Sequence, residues 1–227
     1  YYDLLEARKI ILFEYGITQV SNPVHINLAL RAAGMIAVRN ELGRELLDCG
    51  ACKAFAVSDH QIAHVYVNDP TSYGLVLDVL KSLDGIDLVL EADGKRDYHI
   101  EHDRSGDIVC VARPDSWFTY YFWEDDEVAP DYARCVAIHA KPGYDPVEMF
   151  IDPTIPFPML KAGMRLLQKN LGFRYLMDLI PLDATLVHGS HGHLTKDPNA
   201  GALFVTKCPD LVDGKTSLLA TEIFNII

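Results

Sequence analysis

Three histidines and two glycines crowd the stretch "LVHGSHGHL", residues 186–194, where His188, His191 and His193 follow an apolar run. Neutral imidazoles at the end of a strand or turn are metal ligands or proton carriers. A second chemistry-bearing stretch, "VSDHQIAH", places Asp59 and His60 side by side in a polar link between apolar runs. A third is the Cys49–Cys52 pair in "LLDCGACKAF", whose spacing suits a redox pair or half a zinc site. No second C-x-x-C completes four zinc ligands, and the pair closes a helix instead of opening one, so two small residues at a turn is the simpler reading. Acidic and imidazole side chains therefore carry the first expectation, and the elements around them must bring them together.

The chain has 227 residues, of which 49% are hydrophobic, enough for one sizeable core or a core with a small subdomain. No apolar run reaches the roughly 18 to 20 uncharged residues of a membrane helix, and no basic-then-apolar leader opens the chain. A net charge of −12 without a Lys/Arg cluster argues against a nucleic-acid surface and suits a site that gathers divalent cations. Five cysteines do not form a disulfide framework and fit a reducing, cytoplasmic setting.

The opening, "YYDLLEARKIILFEYG", begins without a capping residue and runs straight into "KIILFE". This continuous apolar run reads as a strand buried in a parallel sheet. "FRYLMDLIPL", with a strand around residues 176–182, and "ALFVT" are its expected companions. So few strands would leave the sheet incomplete, which reads as the carboxy-terminal part of a longer α/β protein. A loop and then helices follow in "EYGITQVSNPVHINLALRAAGMIAVRNELGRELLDCG", the first helix stopping at Gly34. Residues 54–112 then read as β, β, α, β, β, and "DSWFTYYFWEDD" as a buried aromatic strand or a surface that stacks a base. The Pro/Gly-rich "HAKPGYDPVEMFIDPTIPFP" reads as an irregular lid or wrapping connection, in which His139 and Lys141 are candidate phosphate contacts.

With "VHINLALRAAGMI" and "GSHGH" in view, the chain resembles the type I phosphodiesterase and nucleotide pyrophosphatase branch of the alkaline phosphatase superfamily. The resemblance covers nearly the whole chain. It implies part of a mostly parallel sheet covered by helices, with a small inserted α+β cap. Residues 1–50 would carry the core strand, metal loop and helices, residues 51–150 the cap and lid, and residues 151–227 the return to the core.

It also implies a metal-dependent hydrolase of phosphodiester or pyrophosphate bonds holding two divalent ions, zinc with manganese or iron as alternatives. The substrate would be a small phosphate ester or nucleotide-like molecule, and a bare sheet edge could pair two copies of the chain. The attacking Thr or Ser of such enzymes is expected upstream, so no nucleophile is assigned within this chain. His191 takes the place of the late histidine ligand. The earlier Asp-His pair has two alignments. One puts Glu14 and Tyr15 of "ILFEYGIT" there and keeps the family's element order; the other puts Asp59 and His60 there and keeps its letters. Asp183 stands near enough to the GSHG loop to orient a histidine. His188 and His193 read as outer or surface residues, His64 as a strand residue facing solvent or a carbonyl, and "DYHIEHD" as a solvated turn. Two other classes stay open: a non-catalytic relative with a degenerate metal site, and a thiol redox protein using Cys49 and Cys52.

Overall fold

The computed structural model describes residues 9–195, 197 and 200–226. In chain order its elements are β1 (Ile10–Phe13), β2 (Thr18–Gln19), β3 (Asn22–Val24), α1 (Ile26–Ala32), β4 (Val38–Glu41) and β5 (Arg44–Leu47). Then come β6 (Ala54–Asp59), β7 (Ile62–Val67), α2 (Tyr73–Ser82), β8 (Ile86–Leu90), α3 (Ala92–Asp97), β9 (Ile108–Ala112) and β10 (Ser116–Phe118). The chain closes with α4 (Pro158–Asn170), β11 (Gly189–Ser190), β12 (Leu203–Thr206) and α5 (Ile223–Ile226). Two compact units result, one from the residues up to Thr18 and from Leu194 onward, the other from Gln19 to His193. No helix among the described residues is long and apolar enough to cross a membrane.

In the larger unit the predicted strands and helix of residues 54–112 are found, and they build an antiparallel sheet in the order β6-β7-β9-β8. This is the stretch read as a small α+β subdomain, and its sheet is antiparallel throughout. Asp59 pairs with Ile62, so only His60 and Gln61 join β6 to β7, and a connection that short permits antiparallel pairing alone. Along β6, Ala54, Ala56 and Ser58 are buried while the residues between them are more exposed, as a period of two dictates. The inward side chains meet Val76 and Leu80 of α2 and Ile26 and Leu30 of α1 in an aliphatic core. Asp69 starts the turn before α2 by accepting hydrogen bonds from Thr71 N–H and from the Thr71 and Ser72 hydroxyls.

Parallel pairing does join β3 to β10. Beyond β10 the aromatic stretch departs from the expected strand, because residues 119–123 are buried but lie outside any strand. Trp117, Tyr120, Tyr121, Phe122 and Trp123 form a second core with Val147, Ile180 and Leu182. The strand expected around residues 176–182 is likewise absent; Ile180 N–H donates to Arg134 O and Leu179 O accepts from Asp152 N–H, both loop partners. Its burial thus comes from the aromatic core, and its backbone bonds come from loops.

In the smaller unit β1 pairs antiparallel with β12, the predicted "ALFVT" strand. The expectation of a strand buried in a parallel sheet is corrected here: the pairing is antiparallel, and Ile11, Leu12 and Phe13 are 45%, 42% and 56% exposed. An apolar run states what a strand would bury, and says nothing of what covers it.

Candidate functional site

Three loops far apart in sequence converge in the larger unit. The first is the β6–β7 turn, where His60 has φ 56°, in the left-handed region. Such a conformation persists in a non-glycine residue when its surroundings fix it. His60 O accepts from Phe118 N–H at 2.7 Å, which holds the turn against β10.

The second loop is "KPGYD". Gly143 forms a parallel bridge with Ser58, and Tyr144 N–H donates to Ser58 O at 2.8 Å. A Cβ at Gly143, whose φ is +127°, would stand 2.2 Å from Ser58 O, so only glycine lets the loop approach this closely. This approach sets the Tyr144 ring 4.7 Å from the His60 ring.

The third loop is "HGSHGH". Its His191 ring lies 3.9 Å from that of His60, and the Ser190 hydroxyl is 3.5 Å from His60 Nδ1. Burial, with a smaller push from His191, lowers the pKa of His60 to about 4, against a weaker pull from Asp59. Burial also lowers that of His191, opposed by Asp59. Both rings are therefore neutral near pH 7, the form in which imidazole accepts a proton or binds a metal.

The structure thus brings together His191, His60 and Asp59, whose carboxylate is 4.0 Å from His60 Nε2 and 69% exposed. Glu14 stands in the other unit, exposed just after β1. His139 is exposed. The Lys141 ammonium is fully buried and paired with Asp145 at 2.7 Å and Glu148 at 2.8 Å, so it anchors its own loop. Burial raises the Asp145 carboxyl, with Lys141 opposing the shift. Asp183 caps a short turn, accepting from Thr185 N–H at 2.9 Å and the Thr185 hydroxyl at 2.6 Å. His193 is tied through Nδ1 to Ala112 O at 2.9 Å, and His64 Nδ1 accepts from Gly106 N–H at 3.1 Å. His188 is exposed, with its carbonyl accepting from Val20 N–H. Cys49 and Cys52 are free thiols raised by burial, the opposite of what a reactive pair needs.

Sequence reasoning missed Tyr144, Ser190 and Gln61. The Pro-Gly pair before Tyr144 signalled a turn, but nothing local signalled that the turn would meet Ser58. The "VHIN" motif is structural: Asn27 is fully buried and exchanges two hydrogen bonds with Ala56 of β6, and His25 bonds the Thr119 hydroxyl at 2.7 Å.

A catalytic zinc takes three protein ligands and a structural one four. Among the described residues no group of three or more His, Cys, Asp or Glu side chains is placed to hold a metal ion. The pair His60–His191 supplies two imidazoles and does not complete such a set.

The sequence pattern described as type I phosphodiesterase / nucleotide pyrophosphatase matches residues 4–145. Two solved structures of phosphonoacetate hydrolase from Sinorhizobium meliloti 1021 are similar to the chain. The complex with phosphonoformate aligns at 16% identity and a TM-score of 0.44, covering 90% of this chain and 37% of that one. The complex with phosphonoacetate aligns at 19% identity and a TM-score of 0.36, covering 52% and 29% respectively. The chain therefore spans well under half the length of either. No curated protein matches it.

Proposed function

Because the chain belongs to the type I phosphodiesterase/nucleotide pyrophosphatase family, we propose that the protein hydrolyses phosphodiester or pyrophosphate bonds of a small, nucleotide-like substrate at the His60–His191 cluster. The observation that carries this reading is the close, tilted approach of two neutral imidazoles from loops 130 residues apart, beside the Ser190 hydroxyl and the Tyr144 ring. Buried polar groups with shifted pKa values converging on one point are a functional-site signature.

On this reading His60 and His191 contribute nitrogen ligands to a divalent ion, zinc with manganese or iron as alternatives, and Asp59 is the nearby carboxylate. Glu14 is the alternative to Asp59 and His60 for the earlier ligand position. Further ligands and the attacking hydroxyl come from residues outside this stretch, with residues 1–50 and 151–227 serving as core and 51–150 as cap. His139 meets substrate phosphate from the lid, and Lys141 and Asp183 hold the loops beside the site. Such ions neutralise charge on a phosphoryl group in transfer. The chain's own part is to hold two ring nitrogens neutral and fixed.

The test is metal content by mass spectrometry with hydrolysis of bis-p-nitrophenyl phosphate by the full-length protein and its His191→Ala, His60→Ala, Glu14→Ala and Asp59→Ala variants. Loss of metal and activity in both histidine variants supports the reading. Metal and activity untouched by His191→Ala overturns it. A wild type that holds no metal and hydrolyses nothing is a ligand-binding relative that kept only the fold.

A further inference from the structure

Gln61 is fully buried, yet every polar atom it carries is engaged with one of two other segments. Its backbone N–H donates to His191 O at 2.9 Å, and its side-chain Oε1 accepts from His193 N–H at 3.1 Å. Its Nε2 donates toward Arg113 O, Pro114 O and Ser116 O at 3.3, 3.2 and 3.0 Å. Its own carbonyl accepts from Ala112 N–H at 2.8 Å. One residue thus bonds the histidine loop with one side of its amide and the β9–β10 turn with the other. Residues 187–193 have little ladder of their own, so the position of His191 follows from what its loop bonds to. Gln61 is also the chain neighbour of His60, which makes the same residue the reference point for both rings.

The geometry points to Gln61 as a positioning residue of the candidate site: its buried amide fixes the His191 loop in register with His60. This deepens the function proposed above, since it explains how two loops distant in sequence present two rings 3.9 Å apart. A methionine of similar volume fills the space and makes none of the side-chain hydrogen bonds. Gln61→Met then leaves His193 N–H and three carbonyls without their partner, and the histidine loop keeps only its backbone bonds and the His193 ring contact, which loosens its register.

The experiment uses the full chain with isotope-labelled histidine and reads the nuclear Overhauser contact between the His60 and His191 ring protons. Asn27→Leu is the comparison, because Asn27 is an equally buried amide that pins α1 to β6 and whose hydrogen bonds go to Ala56 and Tyr120. Gln61→Met should fold cooperatively and lose the ring contact, whereas Asn27→Leu should melt lower and keep it. A zinc titration should show affinity about 10- to 100-fold weaker in Gln61→Met than in wild type, as for other groups that orient metal ligands.

A wild-type ring contact in Gln61→Met overturns the proposal, and so does equal loss in both variants, which would mark a general effect of stability. Should Gln61→Met fail to fold, hydrogen exchange of the wild-type protein decides. The Gln61 and His193 amides should be protected together; a His193 amide exchanging as fast as an exposed loop amide sinks the idea. If wild type binds no zinc and cleaves no ester while Gln61→Met still loses the ring contact, the proposed function fails and the positioning role stands.

Discussion

The two cores of the larger unit reach burial by different routes. Around the four-stranded sheet the buried side chains are small or aliphatic, among them Ala54, Ala56, Ala63, Val65, Ile108 and Ala112, and the ladder bonds the backbone. Around residues 117–123 the side chains are large and aromatic, while the backbone past Phe118 lies outside any ladder. Its carbonyls are met by side chains sent from elsewhere: Thr119 O by the Ser58 hydroxyl, Tyr120 O by Asn27 and Phe122 O by Arg31. Buried backbone must be paired somewhere, so a region without a ladder depends on individual polar residues. The sheet should therefore tolerate polar changes that the aromatic region cannot, and the candidate site lies against the region of the second kind.

The largest effect should come from the buried charge cluster beside that region. Lys141→Met leaves Asp145 and Glu148 buried without their cation and should cost about 3–5 kcal/mol in urea unfolding followed by tryptophan fluorescence. A loss below about 1 kcal/mol would mean the loop region does not depend on its ion pairs, against the general cost of an unpaired buried charge. In the aliphatic core, Leu80→Ala should cost about 2–5 kcal/mol through the cavity it leaves. Matching transitions by fluorescence and circular dichroism would show that the two cores unfold as one. Asn27→Leu links the two regions, and stranding the partners of its amide should cost about 1–3 kcal/mol.

Acid should act through His60. Its pKa is about 4 when folded and 6.5 ordinarily, so between these values the unfolded state binds more protons. Its contribution is complete above pH 6.5 and is lost as the pH falls toward 4. Unfolding free energies of metal-free protein across that window should slope less in His60→Gln than in wild type, and equal slopes would refute the assignment. The smallest effect belongs to the sheet rim: Arg113 and Asp84 pair at 2.5 Å but are 51% and 82% exposed, so Arg113→Ala should change stability by less than about 1 kcal/mol. A larger loss in a melting curve would show that rim charges matter to the sheet as polar residues do to the aromatic region.

Residue spacing by itself determined the order β6, β7, α2, β8 and β9, though not α3, together with the turn at Pro142–Gly143 and the two histidine-bearing stretches as candidates. These are local consequences of alternation, breaker residues and side-chain type, and the family membership rests on residues 4–145. Tertiary structure decided the rest. The antiparallel sense of the sheet followed from a two-residue connection. The non-strand state of 176–182 followed from loop partners, and the exposure of Ile11 to Phe13 from the surroundings of β1. Above all, the pairing of His60 with His191 is a long-range fact. No local rule links two turns 130 residues apart; bonds converging on Gln61, Ser58 and Gly143 bring them together.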